Sequence, residues 1–125
     1  MVEYKVIQDV VNVPQEPLGV RGAVGVFTQW LVSKADGSVR YAVRRQVVRP
    51  GGRAPLHRHA YAETFIFISG VGRMRVGDGE FDVGPGMVVF VNSNTPHALV
   101  NTGSVDLVVF TVISYEDDMS ITVLE

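Results

Sequence analysis

Three histidines and one glutamate carry the spacing in this chain that could do chemistry as a group. His57 and His59 lie one residue apart, Glu63 follows four residues after His59, and His97 lies downstream; the 125 residues contain no other histidine. In a strand, residues i and i+2 point to one face, about 6.6 Å apart. On a helix the same pair would diverge by about 200°. His-x-His is therefore a strand-type ligand pair. Two imidazoles and a carboxylate on one face, joined by a third imidazole from another strand, form a nitrogen and oxygen donor set for one divalent transition metal. A lone histidine is usually a surface or hydrogen-bonded core residue. Here every histidine falls into one pattern, which argues for a shared site at His57, His59, Glu63 and His97.

Composition narrows the classes of function. Hydrophobic residues make up 46% and charged residues 19%, a globular balance without a disorder signature, and the length suits one domain spanning 1–125. The absence of cysteine removes disulfides and thiolate zinc sites and suits a reducing compartment. The opening MVEYKVIQDV lacks the basic and then apolar pattern of a secretory signal, and runs such as MVVFV are too short to span a bilayer. A cytoplasmic protein with no membrane partner is the expectation. The net charge of -2 argues against nucleic-acid binding. Nine Arg stand against two Lys, however, and six of the Arg fall between Arg40 and Arg58. That cluster reads as a solvated rim around a barrel mouth rather than a nucleic-acid patch.

The elements that must position the four residues are strands. No window sustains a 3.6-residue apolar period. GVFTQWLV, SVRYAVRRQVV, ETFIFISG, VGRMRV, EFDV, MVVFV, HALVN and DLVVFTVIS are short β-branched and aromatic runs. Turn chemistry separates them at Ala35-Asp36-Gly37, Gly77-Asp78-Gly79, Gly84-Pro85-Gly86 and Asn101-Thr102-Gly103. The pattern predicts an all-β antiparallel sandwich or barrel. Pro14 and Pro17 make residues 1–20 an arm, and Glu116-Asp117-Asp118 opens a tail over 115–125 in which Ile121 to Leu124 could form a last edge strand. Pro50-Gly51-Gly52 is expected to turn the chain at the barrel mouth. His57, His59, Glu63, Phe65 and Phe67 then face inward, Arg58, Ile66 and Ile68 outward, and Gly70 closes the run in a hairpin.

The stretch GGRAPLHRHAYAETFIFISG resembles the first motif of the cupin superfamily, G-x5-H-x-H-x3-E-x6-G, matched in full by Gly51, His57, His59, Glu63 and Gly70. The second motif, G-x5-P-x-G-x2-H-x3-N, is matched in part. Gly86, His97 and Asn101 are in register, Asn92 stands for the usual Pro, and Asn94 for the usual Gly. Asn tolerates a left-handed backbone best after Gly, so Asn94 keeps that turn feasible. The resemblance implies a small jelly-roll β-barrel with one metal near its open end, held by His57, His59, Glu63 and His97. Three imidazoles and one carboxylate suit Mn, Fe, Ni, Zn or Cu without selecting among them. Such a site leaves one or two coordination positions open.

Arg44 and Arg45 are neighbours in a strand, so one of them must face inward. Similarity to small single-domain cupins places Arg44 and Gln46 inside and Arg45 outside. An inward guanidinium either faces a ligand-binding cavity or pairs with a carboxylate such as Asp82 or Asp106. Leu99, Leu107, Val109 and Thr111 share the inner parity, and Trp30, Tyr41 and Tyr61 could reach the mouth. Arg44, Gln46 and Tyr61 are thus the candidate catalytic residues beside the metal. No second carboxylate is poised as a general acid or base, which favours chemistry done by the metal itself. There is no phosphate-binding or dinucleotide-binding glycine loop and no nucleophile elbow, and every histidine belongs to the metal pattern. The expected function is a metal-dependent enzyme with dioxygenase-like chemistry on a small anionic organic molecule. The alternatives are a non-catalytic metal and small-ligand sensing module, and a metal-dependent isomerase or decarboxylase. The apolar outer faces (Ile66, Ile68, Val108, Phe110) suggest a homodimer, formed by sheet packing or by exchange of terminal strands around Val2 to Ile7 and Ile121 to Leu124.

Overall fold

Alternation of β-branched and polar residues builds ten strands in the computed structural model, which describes residues 2–125. They are β1 (Glu16–Pro17), β2 (Val24–Val32), β3 (Tyr41–His59), β4 (Glu63–Ser69), β5 (Gly72–Val76), β6 (Gly79–Val83), β7 (Val88–Val91), β8 (His97–Asn101), β9 (Leu107–Ser114) and β10 (Ile121–Val123). Two 3-10 turns, Val10–Asn12 and Lys34–Asp36, are the helical elements among the described residues, and no helix there is long and apolar enough to cross a membrane.

All described pairings are antiparallel, and β3 belongs to two layers at once. Its first half, Tyr41–Val48, pairs with β2 and β9, and β9 continues through β4 to β7. Its second half pairs with β8 and β10, and β8 continues through β5 to β6. The two layers close over a core of Val26, Val48, Phe65, Phe67, Met74, Val83, Val91, Leu99, Leu107 and Val109. This is the all-β jelly-roll barrel that the strand pattern and the resemblance predict.

Several local expectations need correction. Pro50-Gly51-Gly52 does not end a strand; β3 bends there and stays extended to His59. A Cβ on Gly52 would lie 2.8 Å from the Arg49 carbonyl oxygen and 2.9 Å from that of Val24, so the bend packs too tightly for a side chain. Gly70 does not close a hairpin: β4 pairs with β7 and β9, whereas β5 pairs with β6 and β8. Gly70 instead carries the chain between layers at φ +81, where a Cβ would meet the Asp106 carbonyl oxygen at 2.4 Å. Val2 to Ile7 forms no strand. It is tied down instead by Val2 N–H to the Asp36 oxygen and by Lys5 Nζ to the Leu31 oxygen. Ile121–Val123 is a strand, paired to β3 of its own chain. Of the expected outer-face residues, Ile68 is exposed, Ile66 and Phe110 are half-buried, and Val108 is covered between Val47 and Ser69.

Candidate metal centre

The site forms where β4 of one layer faces β3 and β8 of the other. His57 and His59 share the inner face of β3, and β8 brings His97 into register opposite His57. On the other side of β3, β10 pairs Ile121 with His59 and Val123 with His57. The chain then bends through Ala60-Tyr61 into β4, whose first residue is Glu63. All four side chains are buried. The ligand atoms of the three histidines lie within 4.8 Å of one another.

Each imidazole is oriented by a carbonyl two residues away. His57 Nδ1 donates to the Pro55 oxygen at 2.6 Å, His59 Nδ1 to the Tyr61 oxygen at 2.7 Å, and His97 Nδ1 to the Thr95 oxygen at 2.9 Å. A carbonyl can only accept, so the proton of each neutral ring sits on Nδ1 and the Nε2 lone pair faces inward. Tyr61 also stacks on His59, with centroids 3.6 Å apart and planes 5° from parallel. The turn that delivers His97 passes through Asn94 at φ 61, the left-handed conformation expected of that residue.

These atoms fit a cation. His97 Nε2 is buried with no hydrogen-bond partner. Glu63 Oε1 lies 3.2 Å from His59 Nε2 and 3.7 Å from His97 Nε2. A carboxylate oxygen and an imidazole lone pair are both acceptors, so such an approach is favourable only with a proton or a metal between them. Burial, then the neighbouring His97, lower the His57 pKa to about 4, which keeps this ring neutral and able to ligate at physiological pH.

Arg44 changes the reading of Glu63. Its Nη2 donates to Glu63 Oε2 at 2.5 Å and its Nε to Thr111 Oγ1 at 3.1 Å, while the guanidinium carbon lies 5.4 Å from the centre of the Trp30 ring. Burial alone would raise the Glu63 pKa, but Arg44 and the facing histidines outweigh it and hold the carboxyl well below the usual carboxylate range. The inward arginine thus pairs with neither Asp82 nor Asp106. Asp82 bonds Arg73 at 3.0 Å on the outside of the barrel. Glu63 itself is the partner, so Arg44 is engaged before any ligand arrives.

The remaining candidates divide. Gln46 and Tyr61 line the same cavity as Arg44 and the four expected ligands. Gln46 makes only a long 3.4 Å contact to Thr28 Oγ1. Burial first, and then Glu63, push the Tyr61 phenol up to about 12, so it stays protonated at neutral pH. Trp30 and Tyr41 do not line the cavity; Trp30 Nε1 donates to Glu16 Oε1 at 2.7 Å, and Tyr41 is exposed. Arg45 faces the opposite way and bonds Gln29 Oε1 at 2.6 Å. Sequence reasoning missed Leu18 and Val20 of the arm and Ile121 of β10, which complete the cavity wall. The signal was present in the alternate apolar residues of Leu18-Gly19-Val20 just ahead of β2.

The structure is a double-layered antiparallel barrel with three converging imidazoles at one end that could hold a metal ion. The chain belongs to the cupin family: the family model described as cupin domain matches residues 44–113. Auxin-binding protein 1 of Arabidopsis thaliana is 25% identical over 118 residues, covering 87% of this chain and 59% of that protein. This chain therefore spans about three-fifths of that relative's length. Among solved structures, the polyketide cyclase RemF from Streptomyces resistomycificus superposes with a TM-score of 0.89 at 22% identity, covering 98% of this chain and 86% of that one. A predicted oxalate decarboxylase from Thermotoga maritima superposes with a TM-score of 0.78 at 25% identity, covering 89% of this chain and 100% of that one.

Proposed function

We propose that this protein is a metal-dependent enzyme acting on a small anionic organic molecule. In this reading His57, His59 and His97 hold one divalent transition metal, with Glu63 Oε1 alongside. The observation that carries it is the set of three Nδ1-to-carbonyl bonds that turn three lone pairs toward one point and leave His97 Nε2 buried without a partner. When bound, such a metal supplies Lewis acidity toward an oxygen donor and, for a redox-active ion, chemistry with dioxygen. Dioxygenase-like oxidation is the favoured reaction, because the protein groups around the site are poorly suited to proton transfer. Glu63 is held ionised by Arg44, and Tyr61 is a phenol that can donate a hydrogen bond but not act as a base.

The anionic preference rests on charge rather than on a free clamp. Glu63 and Arg44 cancel, so a divalent ion with three neutral imidazoles leaves the cavity at about +2, in surroundings that strengthen attraction to an anion. A similar protein named as a predicted oxalate decarboxylase is consistent with a carboxylate ligand. Metal analysis of protein isolated without chelator, followed by oxygen uptake over a panel of small carboxylates and enolisable acids, tests the proposal. Uptake coupled to loss of one compound supports it. Metal-loaded protein that consumes neither oxygen nor any panel compound sinks the enzyme reading.

A second reading is a ligand-binding module without turnover, favoured by the similarity to a protein named for binding auxin. Saturable binding with no product would select it. We also propose a homodimer through the outer face of β4, β7 and β9, where Val88 and Phe90 are 63% and 59% exposed beside Ile66 and Phe110. Light scattering that returns 13.6 kDa at micromolar concentration rejects it.

A further inference from the structure

Arginine and carboxylate side chains frequently meet fork to fork, two nitrogens on two oxygens. The buried pair in this barrel does not. Arg44 Nη2 bonds Glu63 Oε2, while the guanidinium turns its Nε away to Thr111 Oγ1. Glu63 Oε1 is left facing His59 and His97, at 3.2 and 3.7 Å from their Nε2 atoms. The two oxygens of one carboxylate thus have different partners.

Strand register explains the reach. Arg44 pairs with Thr111 and Glu63 with Ile113, so β9 lies between them and the guanidinium spans it over Thr111. On its other side Arg44 is the cross-strand partner of Trp30, whose ring centre lies 5.4 Å from the guanidinium carbon. The tryptophan is 37% exposed and Arg44 only 6%, so the indole roofs the guanidinium against solvent. Such a contact strengthens when the cation is desolvated. The roof is itself tied down, through Nε1 to Glu16 Oε1 on β1, and it does not line the histidine cavity.

We infer that Arg44 and Trp30 are positioning residues for Glu63. Arg44 keeps Oε2 for itself, so that Oε1 alone is offered to an ion among the histidines, and Trp30 keeps the guanidinium in place. The inference rests on the metal reading and adds a limit to it: Glu63 supplies one oxygen, and the coordination position that its second oxygen would fill stays free for a ligand.

Crystal structures and zinc affinities, the latter by competition with a chromogenic chelator, test it without turnover. In the zinc-loaded wild type, Oε1 is expected at bonding distance, about 2.2 Å, with Oε2 still on Arg44. In Arg44→Met both oxygens should turn to the ion. Trp30→Leu weakens the arginine-held arrangement in the metal-free protein, where Glu63 has no other cation, more than in the loaded protein, where chelation replaces it. Zinc affinity should therefore rise, by up to about tenfold, the scale of the lost cation–π contact. Trp30→Phe keeps an aromatic roof and should return it to the wild-type value. A role in packing alone would lower the affinity instead. If Arg44→Met does not fold, Trp30→Leu decides alone. Both oxygens on zinc in the wild type, one oxygen retained in Arg44→Met, or an unchanged or lower affinity in Trp30→Leu overturns the inference and leaves the metal reading intact. Wild-type protein that takes up no zinc overturns both.

Discussion

The two ends of the barrel interior are made from the same strands and solve opposite problems. β4 carries Glu63 at one end and Phe67 at the other, and β8 runs from His97 to Leu99 and Asn101. At the closed end Phe67, Met74, Leu107 and Val109 are buried with nothing polar to satisfy except the Asn101 amide. That amide donates to the Val48 and Val105 oxygens at 2.8 Å and accepts from Gly103 N–H. At the open end a guanidinium, a carboxylate and three imidazoles are equally buried. Apolar burial stabilises in proportion to area, whereas buried charge is tolerated only when paired and fully bonded. The closed end therefore holds the fold together, and the open end is a cost that the fold sustains.

Breaking the closed end should have the largest effect on stability. Phe67→Ala is expected to destabilise the chain by about 3–5 kcal/mol in chemical denaturation and to reduce metal uptake through unfolding. Arg44→Met should come next, at about 3 kcal/mol in the metal-free protein, because it leaves the Glu63 carboxylate buried without its partner. Adding Glu63→Gln to Arg44→Met should recover most of that loss. A double variant no more stable than Arg44→Met would mean that Arg44 acts through packing rather than charge.

His97→Ala sharpens the contrast. It should abolish stoichiometric metal, measured by elemental analysis, yet change metal-free stability by no more than about 1 kcal/mol. Removal of an unpartnered buried nitrogen offsets the lost packing. Full metal occupancy in this variant would remove His97 from the ligand set.

Of the two ends, acid should act on the open one, with a smaller slope. His57 titrates at about 4 in the folded chain against 6.5 when free, so between these values the unfolded state takes up a proton that the folded state refuses. Stability then falls as pH falls through that window, by at most about 1.4 kcal/mol per pH unit for this group. Glu63 acts in the same direction lower down: its lowered pKa contributes stability above its ordinary 4.5 that is lost as the pH drops further. Denaturant midpoints of metal-free protein that stay level from pH 6.5 to 4.5 would contradict the burial of a neutral His57.

The open end was more legible in the sequence than the path of the strand that carries it. Parity alone put His57, His59, Phe65 and Phe67 on one face, and Asn94 could be assigned its left-handed turn because few other residues adopt it. The second half of β3 was hidden because RPGGRAP reads as turn chemistry. It survives as strand because its prolines fall where the ladder is interrupted. Pro50 lies between the pairings of Val48 and Arg53, and Pro55 lies in the register shift between Ala54 and His57. A missing N–H costs nothing at such a gap. The Arg44–Glu63 pair could not be read locally either, since it joins two strands 19 residues apart through the barrel interior. The cavity walls contributed by the arm and by β10 depend on closure of the whole barrel.

The carbonyl two residues from each histidine has a kinetic consequence. Because Pro55, Tyr61 and Thr95 supply their acceptors from the same stretch of chain as the rings they steer, each imidazole keeps its tautomer and aim without waiting for an ion. In the proposed metal reading the receptor is preorganised, and little conformational entropy is left to lose on binding. Exchange at this site is then paced by stripping water from the incoming ion and by passage into the barrel, not by rearrangement of the ligands.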